Sequence, residues 1–231
     1  MNFSTLLQQG ELIKRYKRFL IDIKCADGSV ITAHCPNSGS MMGLKEPGLQ
    51  VAYSVSDNPN RKLPYTLEMV QIGKTWVGVN TQWPNKIFQQ AFINQQLDEF
   101  KDYSECKSEV KISKKTRLDF LLSSETEQRY VEVKNVTLQR DGYAEFPDAV
   151  TTRGAKHINT LMELVDEGFK ASLVFIVQRD DCKIFSPAAD IDPAYAGFLR
   201  KAVEKGVELQ VYYCTVSPSK IEIMGQLPVE L

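Results

Sequence analysis

Asp119 and Glu132 are separated by twelve residues, and Lys134 follows two further on, within the segments Arg117-Leu118-Asp119-Phe120 and Glu132-Val133-Lys134. Both segments alternate polar with apolar residues, the two-residue period of strands. In the first, Arg117, Asp119 and Leu121 fall on one face and Leu118, Phe120 and Leu122 on the other. In the second, Tyr130, Glu132 and Lys134 share a face opposite Val131 and Val133. A hairpin turn centred on Glu125-Thr126 sets Asp119 directly opposite Glu132. Two like charges so placed destabilise a sheet by some tenths of a kcal/mol or more, and more where water is excluded. A hard divalent cation such as Mg²⁺ relieves that repulsion, because it takes one or two carboxylates together with waters and substrate phosphates. Lys134, pointing the same way, can polarise a phosphate or orient an attacking water. These are the working groups of a metal-dependent phosphodiesterase, with Asp119, Glu132 and Lys134 as candidate catalytic residues. A solvent-facing hairpin has the same alternation, so spacing alone leaves both readings open.

These residues need a scaffold, and the sequence supplies one in two textures. From about residue 18 to 80, short strands are punctuated by turn residues. RFLIDIKC and SVITAHC flank Ala26-Asp27-Gly28, and QVAYSVSD, LPYTLEMVQI and TWVGVN follow. Five short strands predict a small antiparallel barrel of OB type. The texture changes near Trp83-Pro84, where a helix is expected with Phe88, Ala91, Phe92 and Gln95 on one side. The domain boundary is therefore set at residue 81, giving a barrel over 1–80 and a mixed α/β domain over 81–231. In the second domain, strands are expected in SEVKIS, TRLDFLL and RYVEVKNVTL. A helix from Thr152 to Glu167 closed by Gly168 comes next, then the buried strand ASLVFIV, a helix between Asp192-Pro193 and Gly206, and two last strands.

The first of these helices predicts a core stripe of Ile158, Leu161, Met162 and Val165, with Arg153, Lys156, His157 and Thr160 on the exposed side or its flank. Arg153, Lys156 and His157 can all donate to phosphate there and hold a nucleic-acid backbone near the acidic pair. On the barrel, Arg15, Lys17, Arg18, Arg61 and Lys62 edge the strands and AHCPNSGSMMG is a small-residue loop. With Tyr16, Tyr65 and Trp76 they sketch a backbone and base-stacking surface, although Tyr65 and Trp76 serve equally well as core.

Composition is that of an ordinary globular protein, 43% hydrophobic and 25% charged. The net charge of −1 does not by itself announce a nucleic-acid partner. Residues 1–162 carry 21 Lys and Arg against 18 Asp and Glu, and residues 163–231 carry 7 against 11, so any basic footprint must be local. The five cysteines form no CxxC pair, which points away from a zinc knuckle or a disulfide framework and toward reduced thiols. With neither a membrane-spanning apolar run nor the apolar core of a signal peptide, the expected location is the cytoplasm.

HCPNSGSM, SDNPNRKLPYTLE, VNT, SEVK, RLDF, YVEVKNVTL and FPDAVTTRGAKH, in this order over nearly the whole chain, resemble the sugar fermentation stimulation protein A family of bacteria and archaea. The resemblance implies an N-terminal OB-like domain followed by a restriction-endonuclease-like, or PD-(D/E)xK, domain. It also implies DNA binding with little sequence preference and a regulatory role in sugar, notably maltose, metabolism. The family's acidic motif falls on Asp119, Glu132 and Lys134, with Glu109 of SEVK as a further acidic metal candidate. No proline precedes Asp119, where Leu118 stands.

Overall fold

The computed structural model describes all residues except 4 and 115. Five strands close the N-terminal barrel: β1 (Gln8–Tyr16), β2 (Leu20–Cys25), β3 (Val30–His34), β4 (Gln50–Val55) and β5 (Tyr65–Ile72). They run in the order β3-β2-β1-β4-β5, and a parallel bridge from His34 to Thr66 completes the circuit. The interior is apolar, with Leu12, Ile21, Ile23, Val51, Leu67 and Val77 among its buried residues.

The expected count of five is right, but the membership differs. TWVGVN, read as the fifth strand, is a hairpin extension, β6 (Thr75–Gly78), on β5. Gln8–Tyr16, which precedes the expected first strand, is the strand that pairs with both β2 and β4. A register shift between Leu12 and Lys14 breaks its alternation, which hid it. The chain start does not belong to the barrel. Phe3 donates its N–H to the Ser219 carbonyl and packs its ring edge-on to Trp83, so the first residues run along the C-terminal part.

That part is built on a six-stranded mixed sheet. Its strands are β7 (Glu105–Lys111), β8 (Arg117–Ser123), β9 (Gln128–Val136), β12 (Lys170–Val177), β14 (Glu208–Val216) and β15 (Ile221–Gln226), in the order β15-β14-β12-β9-β8-β7. The three central strands β9, β12 and β14 are parallel. Parallel neighbours need crossovers, and helices α2 (Thr152–Asp166) and α3 (Pro193–Glu204) lie in them. On one face these helices bury Ile158, Leu161, Leu173, Phe175 and Leu199. On the other, helix α1 (Trp83–Ile93) buries Ile87, Phe88 and Ala91 against Phe120, Val131 and Val174. The α1 stripe stops short of Gln95, whose left-handed φ of 55° lies beyond the helix end. Three short strands were not foreseen: β10 (Leu138–Arg140), β11 (Tyr143–Phe146) and β13 (Ile184–Pro187), which form a small side sheet. Among the described residues no helix is long and apolar enough to cross a membrane.

Barrel and sheet are fastened by specific hydrogen bonds. Gly78 donates its N–H to the Gln178 carbonyl at 2.9 Å, and a Cβ at Gly78 would lie 2.4 Å from the Gln178 amide oxygen, so a larger residue there must displace the Gln178 side chain. The buried Glu68 of β5 accepts from Ser54 at 2.6 Å, from the Asn80 amide at 2.7 Å and from the Trp83 indole at 2.6 Å, which ties the barrel to the start of α1. Glu68→Ala leaves these donors without an acceptor. Since each stranded polar group costs about 1–3 kcal/mol, denaturant unfolding is expected to show a loss of roughly 3 kcal/mol or more. A loss under about 1 kcal/mol would show that water replaces the carboxylate.

Candidate active site

The hairpin of β8 and β9 has the register expected from sequence. Phe120 faces Val131, Leu121 faces Tyr130, and the turn closes through Ser124 N–H to the Glu127 carbonyl at 3.0 Å. At the next step, where Asp119 would face Glu132, the ladder ends. Asp119 Oδ2 instead takes the Val133 N–H at 2.8 Å, and Oδ1 accepts from the Asn85 amide of α1 at 2.8 Å. The expected alternation of β8 also breaks here, because Leu118 joins the core on the α2 side while Phe120 and Leu122 join that on the α1 side. The sheet thus splays at Asp119, and its carboxyl replaces a backbone partner.

Glu132 is held from the opposite side. Its Oε1 receives both the Lys134 ammonium and the His157 Nδ1 of α2, while its Oε2 is buried with no hydrogen-bond partner. A buried, partnerless carboxylate oxygen is rare and costly, and a hard cation is one group that could satisfy it. Burial first, and the Glu132 charge second, push the Asp119 carboxyl up to about 6 against the hydrogen bonds from Val133 and Asn85. Burial acts to raise Glu132 as well, but the Lys134 ammonium and the His157 contact outweigh it and hold that carboxyl below the ordinary glutamate value. One acid is thereby kept ionised and its neighbour is made easy to protonate. Both border one cleft of 1090 Å³ together with Lys134, Arg153 and Lys156.

The remaining sequence candidates sort by position. His157 and Thr160, expected on or beside the exposed side of α2, are buried, and His157 steadies Glu132. Arg153 and Lys156 stand exposed on the first turns of α2, whose start is capped by Thr151 Oγ1 accepting from the Gly154 N–H at 3.0 Å. Glu109 borders the cleft, but its backbone is left-handed at φ 56° and its exposed carboxylate pairs with Arg117 at 3.0 Å. It is not gathered with Asp119 and Glu132, and among the described residues no three Asp, Glu, His or Cys side chains converge into a metal cluster. A hard cation here would therefore rest on two carboxylates and otherwise on water and substrate oxygens.

On the barrel, Arg15 is consumed internally. Its guanidinium donates to the carbonyls of Asn37 at 2.7 Å, Gly39 at 3.0 Å and Arg18 at 2.9 Å, so it braces a loop and leaves no fork for phosphate. Lys17 and Arg18 are exposed on the β1–β2 turn, and Arg18 reaches a second cleft beside Lys134. Arg61 donates to Thr66 at 2.7 Å and lines a separate cavity beside Glu68 and Trp83; Lys62 is exposed in the same loop. The aromatics are structural. Tyr65 stacks edge-on with Tyr53, Tyr16 donates to Asp22, and Trp76 packs on the α1 core. Sequence reasoning missed Asn85 and Asp148, whose partners lie 34 and 107 residues away in the chain.

Residues 13–79 match the family model described as the SfsA N-terminal OB domain, and residues 82–220 match the model described as the sugar fermentation stimulation protein RE domain. The chain is 47% identical to a sugar fermentation stimulation protein homolog of Geobacter sp. (strain M21) over 97% of each chain, and 47% identical to that of Nitrosococcus oceani over 100% of each. Among solved structures, it is similar to Pyrococcus furiosus SfsA in complex with Ca²⁺, with a TM-score of 0.91 and 26% identity over 100% of this chain and 98% of that one. The chain belongs to the sugar fermentation stimulation protein family, with an N-terminal OB barrel and a C-terminal mixed α/β domain.

Proposed function

We propose that this protein is a cytoplasmic nucleic-acid-binding protein of low sequence preference that cleaves phosphodiesters with the help of a divalent cation, Mg²⁺ in the cell. The observation that carries the reading is the partnerless Oε2 of Glu132, buried beside a second carboxyl whose pKa is raised partly by the Glu132 charge. The relative from Pyrococcus furiosus was solved in complex with Ca²⁺, a cation that also seeks hard oxygen ligands.

In this PD-(D/E)xK-like arrangement, Asp119 and Glu132 would hold the cation. A bound divalent ion supplies Lewis-acid polarisation of the scissile phosphate and neutralises developing charge. Asn85 and the Val133 N–H fix the Asp119 carboxylate, while His157 fixes Glu132 from below. Lys134, which pairs with Glu132, stands where its ammonium would donate to the phosphate or orient an attacking water. Arg153 and Lys156, beside the start of α2, hold the flanking backbone, where the helix dipole also favours phosphate. The regulatory effect on sugar use implied by the family resemblance would act through the same binding surface.

A second reading is binding without cleavage, and one observation favours it: the Lys134 ammonium already pairs with Glu132, and the same oxygen contacts His157 Nδ1. Incubation of the purified protein with labelled single- and double-stranded DNA and RNA, in Mg²⁺, Mn²⁺ or EDTA, separates the two. Cleavage that requires metal is expected. Salt-sensitive binding with intact strands under every condition would reduce the protein to the second reading.

A further inference from the structure

The cleft beside Lys134 has a roof. Barrel loop 37–40 is pinned at one end by Thr81, whose hydroxyl donates to the Pro36 carbonyl at 2.7 Å. At the other end the Met41 N–H donates to Asp148 Oδ2 at 3.0 Å. Arg15 braces the loop from its own side through the carbonyls of Asn37, Gly39 and Ser40. The fit at Gly39 is close, since a Cβ there would lie 2.6 Å from both carboxylate oxygens of Asp148 and would force that side chain to shift. Beneath this roof lies a pocket of 610 Å³, and it runs into the acidic cleft, because Val133, Lys134, Phe146 and Thr151 border both.

The chemistry of the pocket suits a nucleotide. Its volume lies in the range of about 300–1,000 Å³ that encloses small ligands. Phe146, Pro147 and Val150, the last 71% exposed, give an apolar wall for a base ring, and Arg18 and Lys134 supply positive charge for a backbone. The two acids that border it are already engaged: Glu145 is paired with Arg140, and Asp148 accepts from the roof. A duplex is stiff over roughly 150 base pairs and cannot thread beneath a loop fastened at both ends. A single strand can turn its backbone and unstack its bases to do so.

We propose that this roofed pocket seats one or two unpaired nucleotides next to the acidic pair, so that the substrate class is single-stranded or frayed nucleic acid and not intact duplex. The inference rests on the phosphodiesterase reading of the neighbouring site for its consequence, but it is tested by binding alone. Ala149→Trp fills the pocket from the floor and Ser38→Trp from the roof; both positions are exposed, and neither belongs to the acidic site. Fluorescence anisotropy is measured in EDTA with a short labelled oligodeoxynucleotide and a blunt-ended hairpin duplex, after thermal melting has verified that both variants are folded. The parent is expected to prefer the single strand, and each variant to lose about tenfold or more of that affinity, the worth of a lost base-stacking contact. Equal single-strand affinity in parent and variants, or a parent that prefers the blunt duplex, overturns the proposal. Plugged variants that bind and cleave as the parent does would sink the pocket and leave the phosphodiesterase reading standing. Pocket-dependent binding without metal-dependent cleavage would sink only the latter.

Discussion

The Lys134→Ala variant is expected to lose metal-dependent strand cleavage by about a hundredfold or more, the usual cost of removing one well-placed donor to developing charge. Its affinity for nucleic acid should change by no more than about a few fold, because Arg18, Arg153 and Lys156 remain to hold phosphates. The split arises from geometry. Lys134 lies deep in the cleft on the Glu132 carboxylate, while the other cations are exposed around it. Single-turnover cleavage and equilibrium binding on the same substrate read the two effects separately. The variant also deprives a buried carboxylate of its lysine partner, so some loss of stability is expected, and rates are compared at a temperature where both proteins are folded. A variant that cleaves as fast as the parent would remove Lys134 from the chemistry.

Asp119→Asn should stabilise the metal-free protein at neutral pH. The Asp119 carboxyl is pushed from an ordinary 3.8 up to about 6 in the fold, by burial and then by the Glu132 charge. A raised carboxyl pKa means that the folded state holds the proton more tightly than the unfolded one. Its contribution is therefore fully present below 3.8 and is lost as pH rises through about 6. Above that, the ionised carboxylate costs the metal-free fold on the order of 2–3 kcal/mol, at about 1.4 kcal/mol per pKa unit. Asparagine does not titrate, so in EDTA the variant should gain that much over the parent above pH 6 or so, and the gain should vanish toward pH 4. Urea unfolding across this window measures it. Divalent metal should reverse the order, since it stabilises only the protein that binds it. A variant less stable than the parent at neutral pH in EDTA would mean that the Val133 and Asn85 hydrogen bonds outweigh the buried charge.

The sequence made the hairpin register legible because Phe120 to Ser123 pair regularly with Gln128 to Val131 across the short Ser124–Glu127 turn. Helix α3 was legible from Asp192 at its start, and both α2 and α3 from Gly168 and Gly206 beyond their ends, where the glycines adopt the left-handed backbone expected of them. What was hidden lies where local pattern gives way to long-range contact. The β1 bulge scrambles its alternation, β10, β11 and β13 are too short to carry a period, and Arg15 looks like any surface cation until the loop it braces is in place. Periodicity put His157 on or beside the exposed side of α2, but the imidazole turns inward because the Glu132 carboxylate waits beneath it. Glu109 illustrates the converse. The family resemblance implies it as a third acid, but its left-handed backbone and its pairing with Arg117 keep it apart from the other two.

Asp119 and Glu132 together are expected to hold a cation. Isothermal titration of Mn²⁺ into the metal-free protein, with and without a cleavage-resistant phosphorothioate strand, tests this most directly. The predicted result is saturable binding that is tighter with the strand present and is abolished in both Asp119→Asn and Glu132→Gln. Binding that survives both substitutions, or no binding even with the strand, would contradict it.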